Sequence, residues 1–235
     1  MSMSSNNKDM TQSSRRRTIE LLIFFLTFWT LSYGQYLIFV EVPGERVMGA
    51  VQRIFYFHVG SAVACYVSSG VILISALYFL STRERRFDDF LQAAGEVAFL
   101  FCTITLVAGM IWGHYAWNTW FRFEPRLVSF LILWLILLSL CLLRVFGDHD
   151  QVSYHSAVLG IIAALMVPII YYSIKLLPQS AQLHPQVVGN RGLKHPLYYQ
   201  TLYVIMLSLV LLQFVLIWIR SRILFIVRNV DGNNS

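Results

Sequence analysis

Six stretches of the chain contain no Asp, Glu, Lys or Arg: residues 21–40, 54–82, 97–121, 127–143, 151–174 and 195–219. Each is close to or above the ~18 to 20 residues with which an α-helix crosses a ~30 Å hydrocarbon core. Apolar residues inside them run without alternation, as in Leu135-Ile136-Leu137-Leu138 and Leu209-Val210-Leu211-Leu212. That continuity excludes the alternating strands of a membrane β-barrel. The pattern predicts an all-α polytopic membrane protein, a single integral domain over residues 1–235. Its six transmembrane helices are expected at about 19–40, 54–80, 92–113, 127–146, 153–175 and 197–219, with tails at 1–18 and 220–235.

Composition narrows the class. The chain is 57% hydrophobic, 15% aromatic and 13% charged, against roughly 45–50% apolar and 25% charged in soluble domains. A water-soluble globule is excluded on that ground. Cys65, Cys102 and Cys141 all lie inside apolar stretches and form no CxxC or zinc spacing, so they read as packing residues.

Charge sets the expected orientation. Six spans place both termini on one face. The eighteen Lys and Arg then divide eleven to seven, with Lys8, Arg15, Arg16, Arg17, Arg83, Arg85, Arg86, Arg144, Arg220, Arg222 and Arg228 on the terminal side. The positive-inside rule predicts cytoplasmic N- and C-termini. It also explains the net charge of +6 without nucleic acid. The apolar run after Arg17 lasts about twenty residues, longer than the ~7 to 15 of a cleaved signal core, so a retained first helix is expected.

The inner connections are short and charged, whereas the outer ones, 41–53, 112–126 and 176–196, are longer and chemically richer. Function carried by loops is therefore expected outside. No GxxxxGK[ST] phosphate loop occurs, so the chain carries no recognisable nucleotide motor.

The outer loop 112–126 holds Trp112, Tyr115, Trp117, Trp120, Phe121 and Phe123 together with His114. If the segment is helical after Gly113, then Trp117, Trp120, Phe121 and Glu124 share one face, and the element ends before Pro125. An interfacial aromatic belt would need one or two such anchors. A continuous shelf suits a large flat apolar ligand instead.

His58 lies about one turn into the second helix from its outer end, and His184 lies in the last outer loop. Alone, either reads as a packed or solvated residue. Together with the shelf they could supply two axial nitrogens to haem iron. Arg53, Arg122 and Arg126 gather at the same boundary, where guanidinium forks could pair with the haem propionates or snorkel to lipid phosphate.

These residues resemble a known family. Gln52-Arg53-Ile54-Phe55-Tyr56-Phe57-His58-Val59 resembles the histidine-bearing segment of CcmC, the haem exporter protein C family of cytochrome c maturation. Trp112-Gly113, Trp117, Thr119, Trp120, Arg126-Leu127 and Ser129 look like its tryptophan-rich WWD-type loop, with Trp120-Phe121-Arg122-Phe123-Glu124 standing for Trp-Trp-x-Trp-Asp. Val167-Pro168-Ile169-Ile170, Tyr172-Ser173 and His184 resemble its fifth helix and second outer histidine.

The resemblance implies that haem b is bound between His58 and His184 over Trp112, Trp117, Trp120, Phe121 and Phe123, with Arg53 and Arg126 at the propionates. It implies transfer to a CcmE-like haem chaperone, assembly with CcmA, CcmB and CcmD-like subunits of an ABC-type complex, and residence in the cytoplasmic (inner) membrane. No proton-transfer triad or metal-bound water site is visible in the sequence. Rival readings are an integral b-type cytochrome, a CcsA-like cytochrome c haem synthase component, and a permease subunit with no haem site. The first is disfavoured because His58 and His155 fall at opposite membrane faces.

Overall fold

A computed structural model describes residues 3–44, 49–147, 151–173, 175, 193 and 195–234. It is a bundle of six long apolar helices with no strand among the described residues. The helices are α1 (Met3–Tyr36), α2 (Arg53–Thr82), α3 (Arg85–Trp117), α4 (Pro125–Phe146), α5 (Val152–Ser173) and α6 (Pro196–Asn234). A π-helical turn, Leu37–Glu41, continues α1, and a short 3-10 turn, Ala50–Gln52, leads into α2. The shortest helices have 22 residues, about 33 Å at 1.5 Å per residue, enough to cross the hydrocarbon core. The six-span reading of the charge-free stretches is thus realised, and α1, α3 and α6 continue beyond those stretches at the terminal end.

Short connections reverse the chain between α2 and α3, between α3 and α4 and between α4 and α5. Between α2 and α3 only Arg83 and Glu84 intervene. Arg83 takes the left-handed conformation (φ 59°) and returns its N–H to the Phe79 carbonyl at 2.8 Å, the cap that ends a helix in one residue. α2 and α3 form the spine of the bundle, α5 and α6 flank α2, α4 joins α3 to α5, and α1 packs on α6.

Without a hydrophobic driving force in lipid, close packing carries helix association, and small residues permit it. Ala64, Cys65, Ala76, Ala93, Ala94, Ala98 and Cys102 are fully buried along the spine. Gly160 of α5 does the same against α2, where a Cβ would stand 2.7 Å from Ile72. The outward faces are large and apolar, as at Phe25, Phe28 and Trp29 of α1, which suits a lipid solvent.

Ion pairs lock the terminal end. Arg144 of α4 grips Asp88 of α3 with two donors at 3.1 and 2.5 Å, and Ser153 of α5 donates to the same carboxylate at 2.7 Å. Arg220 of α6 grips Glu96 at 2.5 and 2.8 Å, Arg228 pairs with Asp89, and Arg222 reaches Glu20 of α1 at 2.9 Å. These pairs fasten α3 to α4, α5 and α6, and α1 to α6. The opposite end has a different character.

Candidate functional site

At the end opposite the termini, α2, α3 and α4 splay around a pocket of ≈ 770 Å³ counted out to its open mouth. His58, Ala62 and Tyr66 enter from α2, four residues apart and so on one face. Leu106, Gly109, Trp112, Gly113 and Trp117 enter from α3, and Arg126, Leu127 and Phe130 from α4.

The mouth is shaped by how α3 stops and α4 starts. Asn118 adopts the left-handed conformation (φ 53°, ψ 36°) and donates its N–H to the His114 carbonyl at 2.9 Å, ending α3 at Trp117. Asn tolerates that conformation better than most residues. Pro125 occupies the first turn of α4 and holds Glu124 extended (φ −99°, ψ 150°), since the residue before proline is pushed out of the α region. Residues 118–124 form the connecting loop. The helical face expected for Trp117, Trp120, Phe121 and Glu124 is therefore corrected: the helix ends at Trp117, and the left-handed turn at Asn118 folds the later residues back over it.

His58 is fixed from across the bundle. Its Nδ1 lies 3.0 Å from the Thr105 carbonyl oxygen of α3. A carbonyl only accepts, so Nδ1 carries the proton, and in the neutral ring Nε2 then carries the lone pair. Metal-binding imidazoles are commonly held this way, with the second nitrogen donating to a carbonyl. Ser61 Oγ, within 2.8 Å of Thr105 Oγ1, ties α2 to α3 at the same level.

The aromatic residues divide into wall and rim. Trp112 is buried, with Phe55 at 6.1 Å and Trp117 edge-on at 5.2 Å. Trp120 lies at the mouth, stacked on His114, and Phe121 lines the pocket beside it. Phe123 points outward, 85% exposed, meeting Phe121 at its edge.

The charges divide likewise. Glu124 is buried at 3% exposure, and Arg122 pairs with it at 3.6 Å. Arg126 lines the pocket beside Tyr66, and among the described residues no carboxylate lies within 4.0 Å of it. Arg53 is not in the pocket; its guanidinium lies 5.6 Å over the ring of Phe39.

Of the residues singled out from sequence, His58, Trp112, Trp117, Trp120, Phe121, Arg122, Glu124 and Arg126 therefore converge on one pocket. Phe123 and Arg53 lie outside its lining. His184 lies outside the described residues. His195 sits at the start of α6, where its Nδ1 accepts the Leu197 N–H at 3.2 Å.

The CcmC family pattern, "Heme exporter protein C", matches residues 2–234. The chain belongs to the CcmC family. Its relatives include the heme exporter protein C of Bradyrhizobium diazoefficiens, 32% identical over 133 residues, covering 56% of this chain and 51% of that protein. The heme exporter protein C of Paracoccus denitrificans is 29% identical over 185 residues, 77% of this chain and 76% of the relative. That of Haemophilus influenzae is 29% identical over 155 residues, 66% and 63% of the two chains. The aligned stretch thus spans about half of the Bradyrhizobium protein.

Tyr66, Gly109 and Thr105 are among the pocket residues of this CcmC-family chain that escaped sequence reasoning. Tyr66 follows His58 by eight residues, two helical turns, and that spacing could have marked it. Gly109 and Gly113 stand four apart on α3, a small-residue spacing that signals close approach. Thr105 acts through its backbone carbonyl, for which a sequence carries no signal.

Proposed function

We propose that the chain is a haem-handling membrane subunit of cytochrome c biogenesis that receives haem b, as cargo, in the pocket between α2, α3 and α4. The observation that carries the reading is the His58 imidazole, held at Nδ1 by the Thr105 carbonyl and lining an aromatic pocket that also holds the Arg126 guanidinium. This donor set fits haem. One neutral imidazole supplies an axial nitrogen, the walls of Trp112, Trp117, Trp120 and Phe121 match a flat apolar macrocycle, and Arg126 suits a propionate. A bare metal ion is a poorer match, since among the described residues no three His, Cys, Asp or Glu side chains cluster.

In this reading His58 and His184 are the two iron ligands. Arg126 neutralises one propionate, and Arg53, five residues before His58 at the same end of α2, serves the other. Phe123, exposed at the rim, meets the partner or the lipid headgroups. The buried Glu124 and its Arg122 partner hold the loop in shape while haem enters and leaves.

Haem then passes to a CcmE-like chaperone, and CcmA, CcmB and CcmD-like subunits complete an ABC-type complex in the cytoplasmic (inner) membrane, with the termini inside. A relative named for haem export, matched along most of its length, supports that assignment. Purified protein tests it directly: the wild type carries haem with a low-spin, bis-imidazole spectrum, and His58→Ala and His184→Ala each lose that signature. Spectra and haem content unchanged in both single variants would refute the ligand pair.

A further inference from the structure

The imidazole of His58 is steered by a residue that lacks a side chain. In an α-helix the carbonyl of one residue points at the residue four positions on, so the Thr105 carbonyl that accepts from His58 Nδ1 at 3.0 Å points toward Gly109. A Cβ at position 109 would stand 2.8 Å from His58 Cε1 and 3.1 Å from Nδ1. Real Cβ atoms do not approach that closely. The ring cannot simply swing aside, because moving it breaks the bond to Thr105. Ser61 closes the arrangement: its Oγ donates to the His58 carbonyl at 3.0 Å and lies 2.8 Å from Thr105 Oγ1, so α2 and α3 are held in register here.

We propose that Gly109 is a positioning residue for His58: the missing side chain admits the imidazole to the Thr105 carbonyl, the carbonyl selects the Nδ1–H tautomer, and Nε2 is thereby set as the iron-binding nitrogen. The inference rests on the reading of His58 as a haem ligand, but the tautomer it requires belongs to the protein without haem. Gly109 serves this role through close approach, the one thing glycine offers that alanine does not. Gly34, Gly60, Gly95 and Gly160 face aliphatic side chains; Gly109 faces a ring with a chemical task.

The test uses the full chain, labelled with ¹⁵N-histidine in detergent, with His58→Gln identifying the His58 signals by difference. Haem-free wild type is expected to show the Nδ1–H tautomer, and Gly109→Ala to lose it. On haem titration Gly109→Ala is expected to bind about 10–100-fold more weakly, the usual effect of disturbing the group behind a metal-bound imidazole. Gly70→Ala, whose Cβ would meet nothing within 4 Å, is expected to match the wild type in both readouts.

An Nε2–H tautomer in the wild type overturns the proposal, and this needs no variant to fold. So does a Gly109→Ala protein that keeps the Nδ1–H signal, whatever its haem affinity, or one that loses the signal and still binds haem normally. If the tautomer changes as expected but neither protein binds haem, the positioning stands and the haem reading falls.

Discussion

The ring of Trp120 lies 4.1 Å from that of His114, within 6° of parallel. His114 is in the last turn of α3 and Trp120 lies two residues past its cap, so the stack exists only because Asn118 turns the chain back. One face of Trp120 is covered by the imidazole while the residue remains 52% exposed at the pocket mouth. The loop therefore presents a supported aromatic surface before any ligand arrives, and a ligand that stacks there does not have to order it.

The stack separates a ligand platform from an interfacial belt. An aromatic pair contributes roughly 0.5 to 1.5 kcal/mol beyond burial, or about two- to twelvefold in affinity. Trp117→Ala with Trp120→Ala should lower co-purified haem and its transfer to the chaperone by more than either alone, with membrane abundance nearly unchanged. His114→Ala should act in the same direction but more weakly, by releasing Trp120. A belt that only sets helix ends in the interface predicts the reverse, lower abundance with normal transfer per molecule. Haem-loaded chaperone per unit of membrane protein decides, and a normal ratio in the double variant rejects the platform.

The six spans were legible because charge is expensive in hydrocarbon, so its absence over about twenty residues reports the fold by itself. The site was legible residue by residue but not as a shape. Nothing local announced that α3 would stop at Asn118, because an Asn in a run of aromatics continues a helix at modest cost. The helical face drawn through Glu124 failed there. The distinction between Arg126 and Arg53 was also hidden: both flank aromatic segments, and only the packing of α4 against α3 brings one into the pocket. Gly109 was invisible for the same reason, since its meaning lies in an imidazole on another helix.

Asp88 and Arg144 give a stability prediction remote from the pocket. Their side chains are 9% and 7% exposed, and removing one partner of a buried pair costs about 3 to 5 kcal/mol because the other charge is stranded. Arg144→Ala should therefore lower the detergent melting temperature markedly, and Asp88→Asn should do so less, as the amide still bonds Ser153. The double variant Asp88→Asn with Arg144→Leu should recover part of the loss. Haem bound per folded molecule should not change. Losses that simply add would mean that the two residues do not act as a pair.

Orientation is tested by labelling. If the eleven-to-seven division of Lys and Arg sets the termini inside, a cysteine at Asn118 must react with an impermeant reagent from the outer side. One at Gln186, in the last outer loop, must do the same. The Asp88–Arg144 end must then be reached only from the cytoplasm. Labelling of either loop position from the cytoplasmic side alone would invert the protein and place its pocket where no periplasmic chaperone could reach it.

Arg126 yields the most specific chemical prediction. It lines the aromatic pocket beside Tyr66 with no carboxylate within 4.0 Å among the described residues, so a bound carboxylate can pair with it there. Hydrogen bonds to charged groups contribute about 1.5–3 kcal/mol, so Arg126→Ala should weaken haem binding roughly 10- to 150-fold. Arg126→Lys should recover only part of this, because an ammonium keeps the charge but not the two-pronged geometry. Haem dimethyl ester isolates the cause: it presents the same ring and iron without the carboxylates. The wild type should bind the ester more weakly than haem, and Arg126→Ala should bind the two alike. If Arg126→Ala instead lowers both affinities by the same factor, the guanidinium shapes the pocket and does not read a propionate. The test would then pass to Arg53, which lies over Phe39 at the same end of α2 as His58.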